Sequence, residues 1–286
     1  MDDPFLGPEA LTAGDLTRSQ MRWRYTAAHP RVYIARGKPL DLRTNTRAAW
    51  LWSDRRGIIA GRAAAALHGA QWVDDTTPIE LIAEHRRPRR GILVREERIA
   101  ADEICTIDGM PVTTPARTAL DLARFLDRDP AVAHVDALAA VTRVSEAEVI
   151  ALATRYPRLR GIRQARTALK LMDAGAQSPR ETELRLLLID AGFSRPATQI
   201  RVSDGFNDAY LDMGWEHAKI GVDYDGRQHH TDRRRWVHDI GRNELITQQG
   251  WIDLHVVAEH SRRFIVRRVH EAFTRRGLSP FSTPGP

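Results

Sequence analysis

Cysteine is almost missing: Cys105 is the single one in 286 residues. That excludes a disulfide framework within the chain and a zinc cluster built on its thiolates, and it fits a reducing cytoplasm. No uninterrupted apolar run approaches the ~18 residues of a membrane helix. The opening "MDDPFLGPEALTAGD" is acidic and lacks the basic and apolar regions of a signal peptide, so a cytoplasmic chain without membrane contact is expected. Internal repeats and low-complexity segments are absent as well, which excludes solenoids and disordered arrays. Lysine stands only at 38, 170 and 219, so the net charge of +6 is carried by arginine. The guanidinium fork suits phosphate, and a basic balance of this kind points toward nucleic acid. Apolar content of 42% and charged content of 28%, over a length sufficient for two domains, support packed cores.

Residues 9–36 read as a helical unit ending in a hairpin. A short first helix breaks at Ala13-Gly14. Thr17 then precedes "RSQMRWRY" with Gln20 three residues on, the spacing of a capping box. "RVYIARG" follows as a strand with a glycine turn. Helix, turn, helix and hairpin is the order of a winged helix-turn-helix, in which the second helix meets DNA. Arg18, Arg22 and Arg24 lie on or beside that helix, and Arg31 opens the hairpin strand. The alternative is an ordinary surface helix with solvated arginines.

"TNTRAAWLWSDRRGIIAGRAAAALHGAQW" is expected to form two alanine-rich helices around a glycine turn, with His68 as a core histidine. "PIELIAEH" and "GILVREER" pair as strands. The "HRRPRR" between them, His85 to Arg90, is either a solvated hairpin loop or a phosphate-contacting tip. "TIDGMPVTTPARTALDLARFL" supplies a strand, an edge strand and a helix after Pro115. Residues 130–175 read as helical, with a cap at Ser145 and a break near 157–161.

Composition shifts at "DAGAQSP", residues 173–179, the best candidate boundary. Beyond it the expected order is α-β-β-β-α-β-α: "RETELRLLLIDAG", a hairpin around Asp204-Gly205, "AKIGVDYDG", an amphipathic helix ended by Gly250, "WIDLHVVA" and a last helix to Arg276. This order places acids together. Glu181 lies in the first turn of the opening helix, Asp212 near the end of the second strand, and Asp223 near the end of the third. Asp225, two residues on, shares a face with Asp223. Neighbouring strands are ~4.8 Å apart. Two carboxylates ~5 Å apart repel by about 3 kcal/mol at an effective dielectric of 20, so three or four call for protonation or a cation. Oxygen donors of this kind suit Mg²⁺ or Mn²⁺, with Glu181, Asp212 and Asp223 as ligands. His229 follows as a candidate acid or base. Asp239 and Arg242 form an i, i+3 pair, read either as a surface ion pair or as an arginine holding phosphate or a carboxylate of the site.

On "SPRETELRLLLIDAG", "AYLDMGW", "GVDYDGRQHH" and "DIGRNELITQQGW", residues 178–257 resemble the endonuclease-like family related to very-short-patch repair (Vsr) nucleases, within the PD-(D/E)XK superfamily. The resemblance implies an acidic role for Glu181, Asp212, Asp223 and Asp225, the histidine role for His229 and support from Asp239 and Arg242. Two departures stand out. Asp225 occupies the place of the superfamily's lysine, and Asp-x-Asp-Gly replaces the common Glu-x-Asp-Gly. The front part, on "LTRSQMRWR", "RVYIARG", "AAALHG" and "DGMPVTTPARTALDLA", resembles the AbiEi-type antitoxins of type IV toxin–antitoxin systems, whose winged helix binds promoter DNA. That resemblance implies a cognate toxin partner. Pro30-Arg31 replaces the glycine usual before the wing strand.

The expected fold is therefore α/β (α+β). A winged helix occupies 1–43, a mixed α/β and helical module 44–175, and a restriction-endonuclease-like α-β-β-β-α-β core 176–280. Two activities follow as expectations. One is metal-dependent hydrolysis of DNA phosphodiesters with Mg²⁺ or Mn²⁺. The other is a transcriptional regulator or antitoxin whose nuclease fold is inactive.

Overall fold

A computed structural model of the protein describes residues 3–84, 89–226, 233–279 and 281, with the backbone alone for 233–239. The chain forms two compact units, Met1–Met172 and Asp173–Pro286.

The first unit begins with β1 (Phe5–Leu6), α1 (Gly7–Thr12) and α2 (Arg18–Arg24). The capping box that starts α2 is present: Gln20 N–H donates to Thr17 Oγ1 at 3.2 Å and Thr17 N–H to Gln20 Oε1 at 2.8 Å. The chain passes straight into β2 (Tyr25–His29), turns at Pro30-Arg31 and returns as β3 (Val32–Ala35). Arg31 carries the turn in the left-handed region, φ 70°. The resulting three-stranded sheet has the order β1-β3-β2. Arg36 ties α2 to this hairpin by donating to the carbonyls of Arg22, Trp23 and Tyr25. Beneath lies α3 (Leu42–Trp52), capped by Asp41, whose Ala48 and Leu51 pack on Leu6 and Val32.

The "GIIAG" segment is not a plain glycine turn. Ile58–Ala60 form β4 and lead into α4 (Gly61–Leu67). Two adjacent β-branched residues favour the extended chain, and Gly57 lets the backbone approach Ser53, whose Oγ accepts its N–H at 2.9 Å. β4 lies at the centre of a five-stranded sheet, order β6-β5-β4-β8-β7, with β5 (Ile79–Ile82), β6 (Ile92–Arg95), β7 (Ile104–Ile107) and β8 (Met110–Thr113). β5 and β6 are parallel, Ile79 opposite Ile92. The segment between them is thus not a hairpin loop; its residues 85–88 lie outside the described residues. Nor is β8 an edge strand: it sits between β4 and β7, and Pro111 is accommodated because β8 meets β4 only at Ile59 and Val112. His68 Nε2 contacts the Thr113 carbonyl at 2.8 Å.

Four helices complete the unit: α5 (Pro115–Phe125), α6 (Arg128–Thr142), α7 (Glu146–Thr154) and α8 (Ile162–Leu169). The capping box at Ser145 and Glu148 starts α7. Two arginines of α5 are fully buried. Arg117 bonds Glu103 at 2.6 Å and Asp121 at 3.0 Å, and Arg124 bonds Asp121 at 2.9 Å and Glu97 at 3.1 Å. Three carboxylates surround two guanidiniums there, and burial pushes Asp121 up to about 6 against the pull of both arginines.

The second unit runs α9 (Pro179–Asp190), β9 (Ala197–Ser203), β10 (Asp208–Trp215), β11 (Ile220–Tyr224), α10 (Arg233–Gln248), β12 (Ile252–Val256) and α11 (Arg262–Arg275), the order expected from the sequence. Asp204 closes the β9–β10 hairpin by accepting from the N–H groups of Phe206 and Asn207. β9, β10 and β11 are antiparallel neighbours, and β12 adds parallel to β11, so α10 is the crossover that a parallel pair requires. Leu184, Leu188, Phe193, Met213, Trp215, Ile220, Val222 and Phe273 form the core. Each such side chain contributes about 1.5–3 kcal/mol of burial free energy. Among the described residues no helix is long and apolar enough to cross a membrane.

Candidate functional site

The acids expected to converge come from three elements, and backbone chemistry explains how. The β10–β11 ladder runs from Trp215↔Ile220 to Met213↔Val222. At the next position carboxylates take over from the ladder. Asp212 N–H donates to Asp223 Oδ1 at 2.8 Å, and Tyr224 N–H donates to Asp212 Oδ2 at 2.7 Å. Each carboxylate thus satisfies an amide at the end of the ladder, which burial would otherwise leave unpaired. Glu181 approaches from α9. Its Oε2 accepts from Gln177 N–H and its Oε1 from Ser178 Oγ–H, both at 2.9 Å, while Ser178 caps Glu181 N–H in return. "SPRE" is therefore also the start signal of α9.

The electrostatics follow from this crowding. Burial pushes Asp212 up to about 7, with the charges of Asp223 and Glu181 adding. Glu181 is raised by burial and by Asp223. Asp223 is raised by burial and by the charge of Asp253, against the pull of Arg242. Arg242, on α10, is the cation of the site. Its Nη2 donates to Asp223 Oδ2 and, at 2.7 Å, to the Tyr210 carbonyl; its Nη1 stands 3.6 Å from Asp253 Oδ2.

Asp225 makes its contacts with β12. Its N–H extends the β11–β12 ladder to the Val256 carbonyl at 2.7 Å, and its exposed carboxylate meets His255 Nδ1 at 2.9 Å. His255 is in register with Asp223, and Asp253 with Gly221. Asp253 and His255 were not among the residues singled out from the sequence. The signal was nonetheless present: in "IDLHV" the polar residues alternate with apolar ones, so both share one face. His255 Nε2 stands 3.3 Å from Asp253 Oδ2, and that contact holds the imidazole up to about 9, helped by the charges of Asp225 and Asp223 and opposed by burial. Asp223, Asp253 and His255 each offer one donor atom within 4.8 Å of the others. His229 and the side chain of Asp239 lie outside the described residues.

In the first unit, no residue of α2 is fully buried, and Gln20 and Met21 are half-buried. Arg18, Arg22 and Arg24 are exposed and make no ion pair among the described residues, and Trp23 beside them is 73% exposed. Arg31, at the hairpin turn, is paired with Asp54 at 3.1 Å.

The two units thus define a chain with an exposed basic helix beside a hairpin, a mixed α/β module, and a separate mixed sheet ending in an acidic centre. The family model of the AbiEi antitoxin C-terminal domain matches residues 57–174, the five-stranded sheet and the helices that follow it. Two uncharacterized proteins of Mycobacterium tuberculosis, from strains CDC 1551 and H37Rv, are each 29% identical over 203 residues, spanning 70% of this chain and 74% of theirs. No solved structure matches the chain.

Proposed function

We propose that the protein is a DNA-binding regulator of antitoxin type, whose residues 1–43 bind duplex DNA and whose residues 44–175 form the AbiEi-like module. The observation that carries this reading is α2. Apart from half-buried Gln20 and Met21, its side chains face solvent, so most of its surface is free for a partner. Its exposed arginines, the neighbouring hairpin and the net charge of +6 suit a phosphate backbone. The match of residues 57–174 to an antitoxin domain supports the same reading and extends it to a cognate toxin as partner. The test is titration of the full-length protein with a duplex drawn from upstream of its own gene and with a scrambled duplex. Binding that prefers the former by at least tenfold and weakens steeply with salt supports the proposal; no binding to either duplex at low salt removes it.

A second reading rests on the meeting of Asp212 and Asp223 and on the resemblance to Vsr-like nucleases: residues 176–280 would hydrolyse DNA phosphodiesters with Mg²⁺ or Mn²⁺. The fit of the ligand set that resemblance implies is poor. Glu181 uses both oxygens on the start of α9, and Asp212 Oδ2 is taken by Tyr224 N–H.

A further inference from the structure

The same end of the sheet holds a better set of donors, displaced toward β12. Both carboxylate oxygens of Asp253 are buried, and among the described residues neither has a hydrogen-bond donor. Its charged neighbours, His255 Nε2 at 3.3 Å and Arg242 Nη1 at 3.6 Å, are at ion-pair distance without hydrogen-bond geometry. The two cations compensate its charge, but its lone pairs are left without hydrogen-bond donors. The imidazole tells the same story. Asp225 fixes His255 from outside through Nδ1. Nε2, the other ring nitrogen, faces Asp253 Oδ2 at 3.3 Å, and a metal ion held by both would take the place of the proton between them. Carboxylate, histidine and metal in line is the arrangement by which outer carboxylates orient ligand imidazoles. The side chain of His255 is 39% exposed, so the site is not sealed from water.

We propose that the second unit binds a divalent transition-metal ion through Asp223, Asp253 and His255, with Asp225 orienting the imidazole. Donors at bond lengths of ~2.0–2.2 Å stand ~3.0–3.5 Å apart when adjacent around the ion and ~4.4 Å when opposite, so the group, now within 4.8 Å, has to close by up to about 1–2 Å. An imidazole nitrogen in the set favours Mn²⁺, Co²⁺ or Zn²⁺ over Mg²⁺, which prefers oxygen and retains its water. In the metal-free protein Arg242 and His255 supply the positive charge. This inference goes beyond the DNA-binding proposal and is independent of it.

The experiment uses the full-length protein and the metals alone. Isothermal titration with Mn²⁺, Co²⁺ and Mg²⁺ is expected to give one site, tighter for Mn²⁺ and Co²⁺ than for Mg²⁺ by at least tenfold. The electron spin-echo modulation of bound Mn²⁺ should carry the signature of one imidazole ¹⁴N, a readout that needs no variant. Asp253→Asn and His255→Gln should each weaken Mn²⁺ by more than ~100-fold, and Asp225→Asn by ~10–100-fold, the usual range for an outer-shell partner. Absence of the ¹⁴N signal, a preference for Mg²⁺, or no ion bound by the wild-type protein at millimolar concentration overturns the proposal. DNA affinity measured on the same samples separates its failure from that of the regulator reading.

Discussion

Replacing Arg22 with alanine tests the regulator reading where it is most quantitative. Arg18 and Arg22 are four residues apart on α2 and so share a helix face, Arg24 ends the helix, and all three are exposed without an acidic partner among the described residues. If each neutralises one phosphate, the slope of log K against log salt is about −2.7, from roughly 0.9 per contact. Between 50 and 200 mM salt, a fourfold change, affinity then falls by about 40-fold for the wild-type protein. With one contact removed the slope is about −1.8 and the fall about 12-fold. Fluorescence anisotropy of a labelled duplex over that salt range reads both numbers. Arg31→Ala should change the slope less, because its guanidinium already shares its charge with Asp54 at 3.1 Å. Slopes that coincide within 0.3 for wild type, Arg18→Ala, Arg22→Ala and Arg24→Ala would falsify the placement of α2 against phosphate.

Three further outcomes are expected. Arg242→Gln removes the resident cation beside Asp223 and Asp253, so Mn²⁺ binding should tighten at neutral pH; calorimetry showing weaker binding contradicts the competition of arginine and metal. Asp121 has its folded value raised to about 6 from an ordinary 3.8, so its contribution to stability is full below about pH 4 and is lost as pH rises through 6, a loss of about 3 kcal/mol. The groups facing it are Arg117, Arg124 and Glu97, with Glu103 across Arg117, so Asp121→Asn, which leaves two carboxylates for two guanidiniums, should flatten that part of the profile; urea unfolding at pH 4.5 and 7.5 that changes equally in both proteins refutes it. Leu188→Ala, at a fully buried position of the second unit's core, should cost about 2–5 kcal/mol of unfolding free energy, and a loss below 1 kcal/mol in denaturant titration would mean the core is not packed as described.

Local chemistry made most of the elements legible. Thr17 and Gln20, Ser145 and Glu148, and the Asp204-Gly205 turn announce their structures because the partners lie within a few residues of one another. What remained hidden depends on distant pairing. Ile58–Ala60 is too short to show a period, and only β5 and β8 on either side make it a strand. The parallel pairing of β5 with β6 is likewise invisible, since alternation fixes a strand's faces but not its direction. The site divides the same way. Asp212 and Asp223 were readable as a meeting of strand ends, whereas Asp253 and His255 enter through the parallel strand β12, whose register no local feature sets.

Asp225 joins the two parts of that argument. It brings a negative charge to the end of β11, and a carboxylate cannot stabilise charge building on a phosphoryl oxygen. The structure gives it another partner: His255 Nδ1, at 2.9 Å. The positive charge has two other sources nearby, Arg242 on Asp223 and the raised imidazole of His255. The acidic end of the sheet is therefore balanced without a lysine. Either that balance is final, or a metal ion displaces the proton and the guanidinium from Asp253 and Asp223. The two cases differ in one measurable respect, the ¹⁴N coupling of bound Mn²⁺, because only the second brings an imidazole into contact with an ion.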